Sequence, residues 1–111
     1  MDYQQGDIIL LPYPYTDLSN TKKRPAVIIS RNTNHHPNFI VAKITSVIRR
    51  DEYSFLIAPI DIDRYLRFES EVRTNELFTV SSTIIITKFA SFRKEPLKRL
   101  TEQIKAHISV A

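Results

Sequence analysis

The sequence predicts a mainly β fold: a small, strongly bent antiparallel sheet or partial barrel, closed by one C-terminal helix. Three observations predict it. Short runs rich in β-branched residues recur along the chain, and several alternate apolar with polar. Polar loops separate these runs with no crossover helix between them, which argues against a parallel α/β sheet. One helical periodicity stands out, and it is the last segment. The 111 residues read as a single domain, residues 1–111.

Gly6-Asp7 introduces Ile8-Ile9-Leu10-Leu11, an apolar run of strand length, and the two prolines of Pro12-Tyr13-Pro14-Tyr15 end it. Thr16 to Lys23 is a polar loop with Asp17, Ser19 and Asn20 as turn formers. Pro25 to Ile29 is the second strand, with Pro25 as its first residue because proline gives no N–H to a ladder. That places Arg24 at a rim, where loop becomes sheet. Residues 31–38 form a second loop. Phe39 to Thr45 alternates, with Ile40, Ala42 and Ile44 on one face and Val41, Lys43 and Thr45 on the other. Arg49-Arg50-Asp51-Glu52 breaks the pattern, and Phe55 to Pro59 is a further short strand. In Asp61 to Phe68, Ile62, Tyr65 and Phe68 can share one face of a helical turn, with the charges at the surface. Ser70 to Glu76 alternates again, Ser70, Val72 and Thr74 against Glu71, Arg73 and Asn75. Thr83 to Phe89 is strongly β-branched and reads as a strand. Pro96 opens the helix, where Leu97, Leu100, Ile104 and Ile108 recur at helical spacing, and no good N-cap residue precedes it.

Composition narrows the function classes. The net charge is +4 and the pI about 9.5, a basic balance that favours an anionic partner. There is no cysteine, so no disulfide, thiol nucleophile or cysteine-based zinc site exists. Gly6 is the only glycine, which excludes phosphate-cradling glycine-rich loops. Met1 to Gln5 lacks a basic region and a long apolar run. The expectation is therefore no signal peptide, no membrane span and a cytoplasmic location.

The pieces Gly6-Asp7-Ile8 with Pro12, Arg24-Pro25 with Val27-Ile28-Ile29-Ser30, Ile40-Val41-Ala42 with Ile44-Thr45-Ser46, and Ser70, Val72, Leu77, Thr79 and Val80 come in one order. In that order, with the terminal helix, the chain resembles the MazF/PemK toxins over nearly its whole length. The run Pro12 to Leu18 is most similar to the PemK-like branch. The resemblance implies an SH3-like β-barrel of the MazF/PemK/CcdB type with a C-terminal helix, working as a homodimer. It implies a metal-independent endoribonuclease with no cofactor, cutting single-stranded RNA at short sequences to leave a 2′,3′-cyclic phosphate and a 5′-hydroxyl. It also implies a cognate antitoxin as protein partner. The family's catalytic arginine and threonine map onto Arg24 and Thr45.

Such a reaction uses the RNA's own 2′-OH. The protein must align it with the phosphorus, stabilise charge on the phosphate oxygens and move two protons. Arg24 can grip two phosphate oxygens with paired donors, and Thr45 can donate its hydroxyl. Ser46 is a second phosphate contact. In Kid-like members of the family an arginine and an aspartate two residues later act as acid and base. Here that pair is Arg73 and Asn75, and Asn75 cannot accept the 2′-OH proton. Asn75 then reads as a base-edge contact, and Glu76 as either proton acceptor or solvated charge. Tyr13 and Tyr15 could stack on bases or pack in a core or dimer contact. Lys22-Lys23 and Arg49-Arg50 could steer RNA or be plainly solvated, with Lys23 taken as an RNA contact. His35-His36 reads as a solvated pair, with no metal site, and His107 has no role. The rival reading is a non-catalytic binding module of the same fold, similar to the CcdB gyrase poisons or an RNA- or antitoxin-binding relative.

Overall fold

In the computed structural model, residues 3–13, 22–31 and 36–111 are described. Tyr15, His35, the Tyr13 side chain and residues 16–21 of the expected Thr16 to Lys23 loop lie outside them, while Lys22 and Lys23 belong to a strand. Six strands form one antiparallel sheet: β1 (Asp7–Tyr13), β2 (Lys22–Ile28), β3 (Asn38–Thr45), β4 (Ser54–Leu56), β5 (Glu71–Ser81) and β6 (Thr87–Ser91). The helix α1 (Lys94–Ile108) follows. The sheet order is β4-β5-β3-β2-β1-β6. The expected bent antiparallel sheet with a terminal helix is present, but the sheet stays open rather than closing as a barrel. The segment after β4 meets the end of β6 through a bridge between Ile62 and Phe92 and the flanking bonds Asp63 N–H to Ser91 O and Arg93 N–H to Asp61 O.

The continuous apolar runs of β1 and β2 arise because both faces of the sheet are covered. Ile8, Val27, Ala42, Ile44 and Val72 face a core completed by Phe55, Phe92 and the helix residues Leu100 and Ile104. Their strand neighbours Ile9, Leu11, Ala26, Ile28 and Val41 face a second core with Tyr3, Phe39, Val80 and Ile85. Gly6 makes the helix fit. Its φ is +94°, and a Cβ there would lie 2.9 Å from Leu97 Cδ2. Its N–H donates to Ile28 O and its carbonyl accepts from Phe92 N–H.

Several expectations change. β1 runs through Pro12 because its pairing with β6 ends at Leu10 while pairing with β2 continues to Tyr13. Leu10 O accepts from Ile86 N–H on the β6 side. By alternation Pro12 directs its nitrogen the same way, beyond the last paired residue, where no donor is needed. β2 likewise begins at Lys22, not Pro25. Thr83 to Phe89 is not one strand. Ser82–Ile84 forms a 3-10 turn in which Ser81 Oγ accepts the Thr83 N–H, and the strand starts at Thr87. Asp61 is buried rather than on the surface, accepting from Ala58 N–H and Arg99. Tyr65 and Phe68 are exposed while Ile62 is buried, so they share no helical face with it. The helix begins at Lys94, so Pro96 is its third residue, still within the first turn. Its N-cap residue, Arg93, makes no side-chain cap bond, and Ile108 is 71% exposed at its end. Among the described residues, no helix is long and apolar enough to cross a membrane.

Candidate active site

The site begins with Pro25. Ile29 N–H donates to Ile40 O, so β2 residues of the same parity, Val27 and Pro25, turn their backbone groups toward β3. Proline has no N–H to give there. The β2–β3 ladder stops at Ala26 opposite Lys43, and the strands splay beyond it. The gap is a cleft of about 480 Å³. Arg24 and Pro25 line it from β2, and Lys43 and Thr45 from β3. Ser46, Val47 and Arg49 come from the following turn, and Arg67, Phe68 and Ser70 from the approach to β5.

Among the described residues the lining holds four cations (Arg24, Lys43, Arg49 and Arg67) and three hydroxyls (Thr45, Ser46 and Ser70), with no carboxylate. Such a donor set suits a polyanion. Arg24 is exposed, and among the described residues it makes no hydrogen bond or ion pair; its guanidinium carries five N–H donors. Thr45 Oγ1 accepts the Val47 N–H at 3.1 Å, which fixes the hydroxyl oxygen while leaving its O–H to donate. Among the described residues no group of three or more His, Asp or Glu side chains could hold a metal ion.

Behind the cleft lies a different construction. Glu71 is fully buried and paired with Thr45 across the β3–β5 ladder. Its carboxylate accepts from Arg49 N–H, Arg50 N–H, Ser54 Oγ and Arg73 Nη1, at 3.0, 3.4, 2.7 and 2.6 Å. Burial pushes its pKa upward. The bonds from Arg73, Ser54 and the two backbone N–H groups outweigh that and hold it below the ordinary value. Glu71 thus anchors the turn that carries Ser46, Val47 and Arg49. Arg50 sits in that turn with φ +52°, a conformation that must be held by its surroundings.

Arg73, 4% exposed at its side chain, joins the network together. It donates to Asp51 at 2.9 and 3.1 Å and contacts Glu76 at 3.3 Å. Its hydrogen bonds are the main cause holding the Asp51 carboxyl down to about 2, while the carboxylates push its own pKa up. β5 bends sharply here. Between the pairs Ala42/Leu77 and Ile44/Val72, two steps along β3 are matched by five along β5.

The structure therefore brings Arg24, Thr45 and Ser46 together. It places Arg73 inside the protein rather than in the cleft. Glu76 does not line the cleft but is half-buried beside it, 3.6 Å from the cleft-lining Lys43. Asn75 and Lys23 are exposed but do not line the cleft. Lys43 and Arg67 were not singled out as cleft residues, and Arg49 appeared only as a steering charge. Alternation alone did place Lys43 on the same strand face as Thr45.

A family model described as PemK-like, MazF-like toxin of type II toxin-antitoxin system matches residues 4–108. No curated protein sequence matches the chain. Among solved structures, MazE-MazF from Deinococcus radiodurans is similar with a TM-score of 0.78 and 11% identity, covering 98% of each chain. An endoribonuclease in complex with its cognate antitoxin, from a mycobacterial species, gives 0.77 and 10%, covering 99% of this chain and 100% of that one. Mycobacterium tuberculosis toxin MazF-mt6 gives 0.71 and 19%, covering 95% of this chain and 98% of that one. Likeness at these identities establishes the fold.

Proposed function

The chain belongs to the PemK-like, MazF-like toxins of type II toxin-antitoxin systems, and from that premise we propose that it is a sequence-selective endoribonuclease acting on single-stranded RNA. The observation that carries this reading is the cleft where β2 and β3 splay. It gathers the Arg24 guanidinium and three hydroxyls among further cations, with no carboxylate among the described lining residues.

In the proposed reaction the 2′-OH attacks the adjacent phosphorus. The O2′–P bond forms, the P–O5′ bond breaks, and the products carry a 2′,3′-cyclic phosphate and a 5′-hydroxyl. Arg24 takes two non-bridging oxygens with paired N–H donors, and its charge compensates the charge that builds in the transition state. Thr45 donates its O–H to the same phosphate and Ser46 supplies a second hydroxyl. Arg49 and Arg67 add long-range attraction for the strand. Since Asn75 has no basic atom, Glu76, 3.6 Å from the cleft-lining Lys43, is the carboxylate we assign to accept the 2′-OH proton, and the departing O5′ takes its proton from solvent water. Glu76→Gln removes the basicity and keeps the shape, and should slow cleavage by roughly 10²–10⁴-fold. An unchanged rate removes Glu76 from that role.

We further propose a cytoplasmic homodimer whose activity a cognate antitoxin restrains. The relatives solved with an antitoxin or with MazE support that partner class. One observation favours the rival reading of a non-catalytic binding module. Arg73 is locked inside and Asn75 is not acidic, so the acid–base pair of Kid-like members is missing. Incubating the antitoxin-free protein with a long single-stranded RNA in excess EDTA, and mapping fragment ends, separates the two. Discrete cuts with cyclic phosphate and 5′-hydroxyl ends support the enzyme. Intact RNA from folded protein supports the binding module, and cuts that vanish in EDTA overturn the metal-free route.

A further inference from the structure

A second hollow, of about 200 Å³, opens beside the phosphate cleft. Its floor is apolar, formed by Ile57, Ile62 and Leu66, and its rim carries Tyr65, Arg67 and Phe68. Leu66, Arg67 and Phe68 line both concavities, so the two are continuous across a single wall. The aromatic rings there are left out of the core. Tyr65 is 86% exposed and Phe68 63%, although buried apolar positions lie within a few residues of each. Leaving two aromatic rings in water is unfavourable, and it points to a surface that meets something else.

The chemistry of the rim says what. Arg67 places its guanidinium carbon 5.4 Å from the Phe68 ring centroid. A ring face beside a stacked guanidinium is a platform on which planar heterocycles stack. Ser70 Oγ, whose residue lines the phosphate cleft, donates to Phe68 O at 3.0 Å and ties the platform's backbone to that cleft. A phosphodiester gripped by Arg24 and Thr45 carries a base on each flank. The wall shared by the two hollows is where one of those bases, if unpaired, would lie.

We propose that Phe68, with Tyr65 and Arg67, forms a stacking subsite for the unpaired base of one nucleotide flanking the scissile phosphate, and thereby sets part of the sequence preference. This rests on the endoribonuclease reading. It adds to that reading a specificity residue on a segment outside the Arg24/Thr45 strands. Stacking also requires a splayed, single-stranded substrate, because a paired base has no free face to offer.

The test compares cleavage maps and kinetics of wild type, Phe68→Ala and Phe68→Tyr on one long single-stranded RNA, with thermal unfolding and solution mass measured on the same samples. Phe68→Ala should melt with wild type and still cut to the same product ends. Its kcat/KM should fall on the order of 10-fold, carried mainly by KM, as expected for one lost stacking contact. Its base preference should relax at one position next to the cut, and Phe68→Tyr should restore both. An unchanged base preference in Phe68→Ala overturns the subsite while leaving the endoribonuclease reading intact. So does a change confined to solution mass, which makes the patch a contact between protein copies. Wild type that cuts no RNA is a separate result, and it removes the parent reading and the subsite with it.

Discussion

Two arginines on strands of one sheet, with β3 between them, have opposite fates. Arg24 stands exposed where β2 separates from β3, with no partner among the described residues. Arg73 is buried on β5 with its donors spent on Asp51, Glu71, Glu76 and Ser54. The same side chain thus serves as an open anion receptor in one place and as a rivet in the other. What decides is the backbone around it. Pro25 ends a ladder and leaves a gap in front of Arg24. The corner in β5 folds Arg73 back toward Asp51 and toward Glu71, which already holds the Arg49–Arg50 turn. A guanidinium with no partner among the described residues, in a cleft whose described lining has no carboxylate, keeps its electrostatic reach for a ligand, whereas one that is fully paired does not.

The largest effect should come from breaking the rivet. Arg73→Ala leaves Glu71 charged, fully buried and short of its strongest donor. Removing one partner of a buried pair costs about 3–5 kcal/mol, read as a lowered urea midpoint. A loss under about 1 kcal/mol would mean that the network relaxes and that Arg73 is not structural.

The pH dependence of stability sharpens the same contrast. Glu71 and Asp51 both have folded pKa values below their ordinary 4.5 and 3.8, Asp51 at about 2. Their contribution is fully present above the unfolded values and is lost as pH falls through the folded ones, because the unfolded chain binds protons first. Melting temperature should therefore drop between pH about 4.5 and 2. The drop should be shallower in Glu71→Gln with Asp51→Asn, measured against each protein's own value at neutral pH. Parallel curves for the two proteins would remove the network as the acid-sensitive element.

A smaller effect is expected at Thr45. Thr45→Val keeps the β-branched shape but removes the O–H donor and the oxygen that accepts Val47 N–H. Losing one hydrogen bond to a charged group corresponds to roughly 10- to 100-fold in cleavage rate. Thr45→Ser should recover most of it. Full activity in Thr45→Val would leave phosphate binding to the cations alone.

Much of the open arginine's setting was legible in the sequence, and little of the closed one's. Arg24-Pro25 ahead of a β-branched run reads as a strand start at a rim, whereas the strand begins at Lys22 and only its pairing with β3 ends there. The alternation of Phe39 to Thr45 puts Thr45 and Lys43 on a common face. The terminal helix was readable from Leu97, Leu100 and Ile104, though the same spacing wrongly suggested a buried Ile108. Around Arg73 the alternation Glu71, Arg73, Asn75 looks like a solvated face. Period two cannot tell solvent from a buried ion pair, because the partners Asp51 and Ser54 lie on another strand or turn. The corner in β5 was equally silent, since no glycine or proline marks residues 73–76. Tyr65 and Phe68 fit a helical turn on paper, but Ile62 bridges to Phe92 and residues 63–70 follow it as bends and irregular chain, with both rings outside.

The most direct test measures single-turnover RNA cleavage and thermal unfolding on Arg24→Ala beside wild type, in EDTA. The account predicts that cleavage falls by roughly 10²–10³-fold, the scale of losing a preorganised donor to a developing oxyanion. It predicts a melting temperature unchanged within the range of an exposed substitution, about 0.5 kcal/mol. Cleavage retained in Arg24→Ala, or a stability loss on the scale expected for Arg73→Ala, would contradict the assignment of Arg24 as the open receptor.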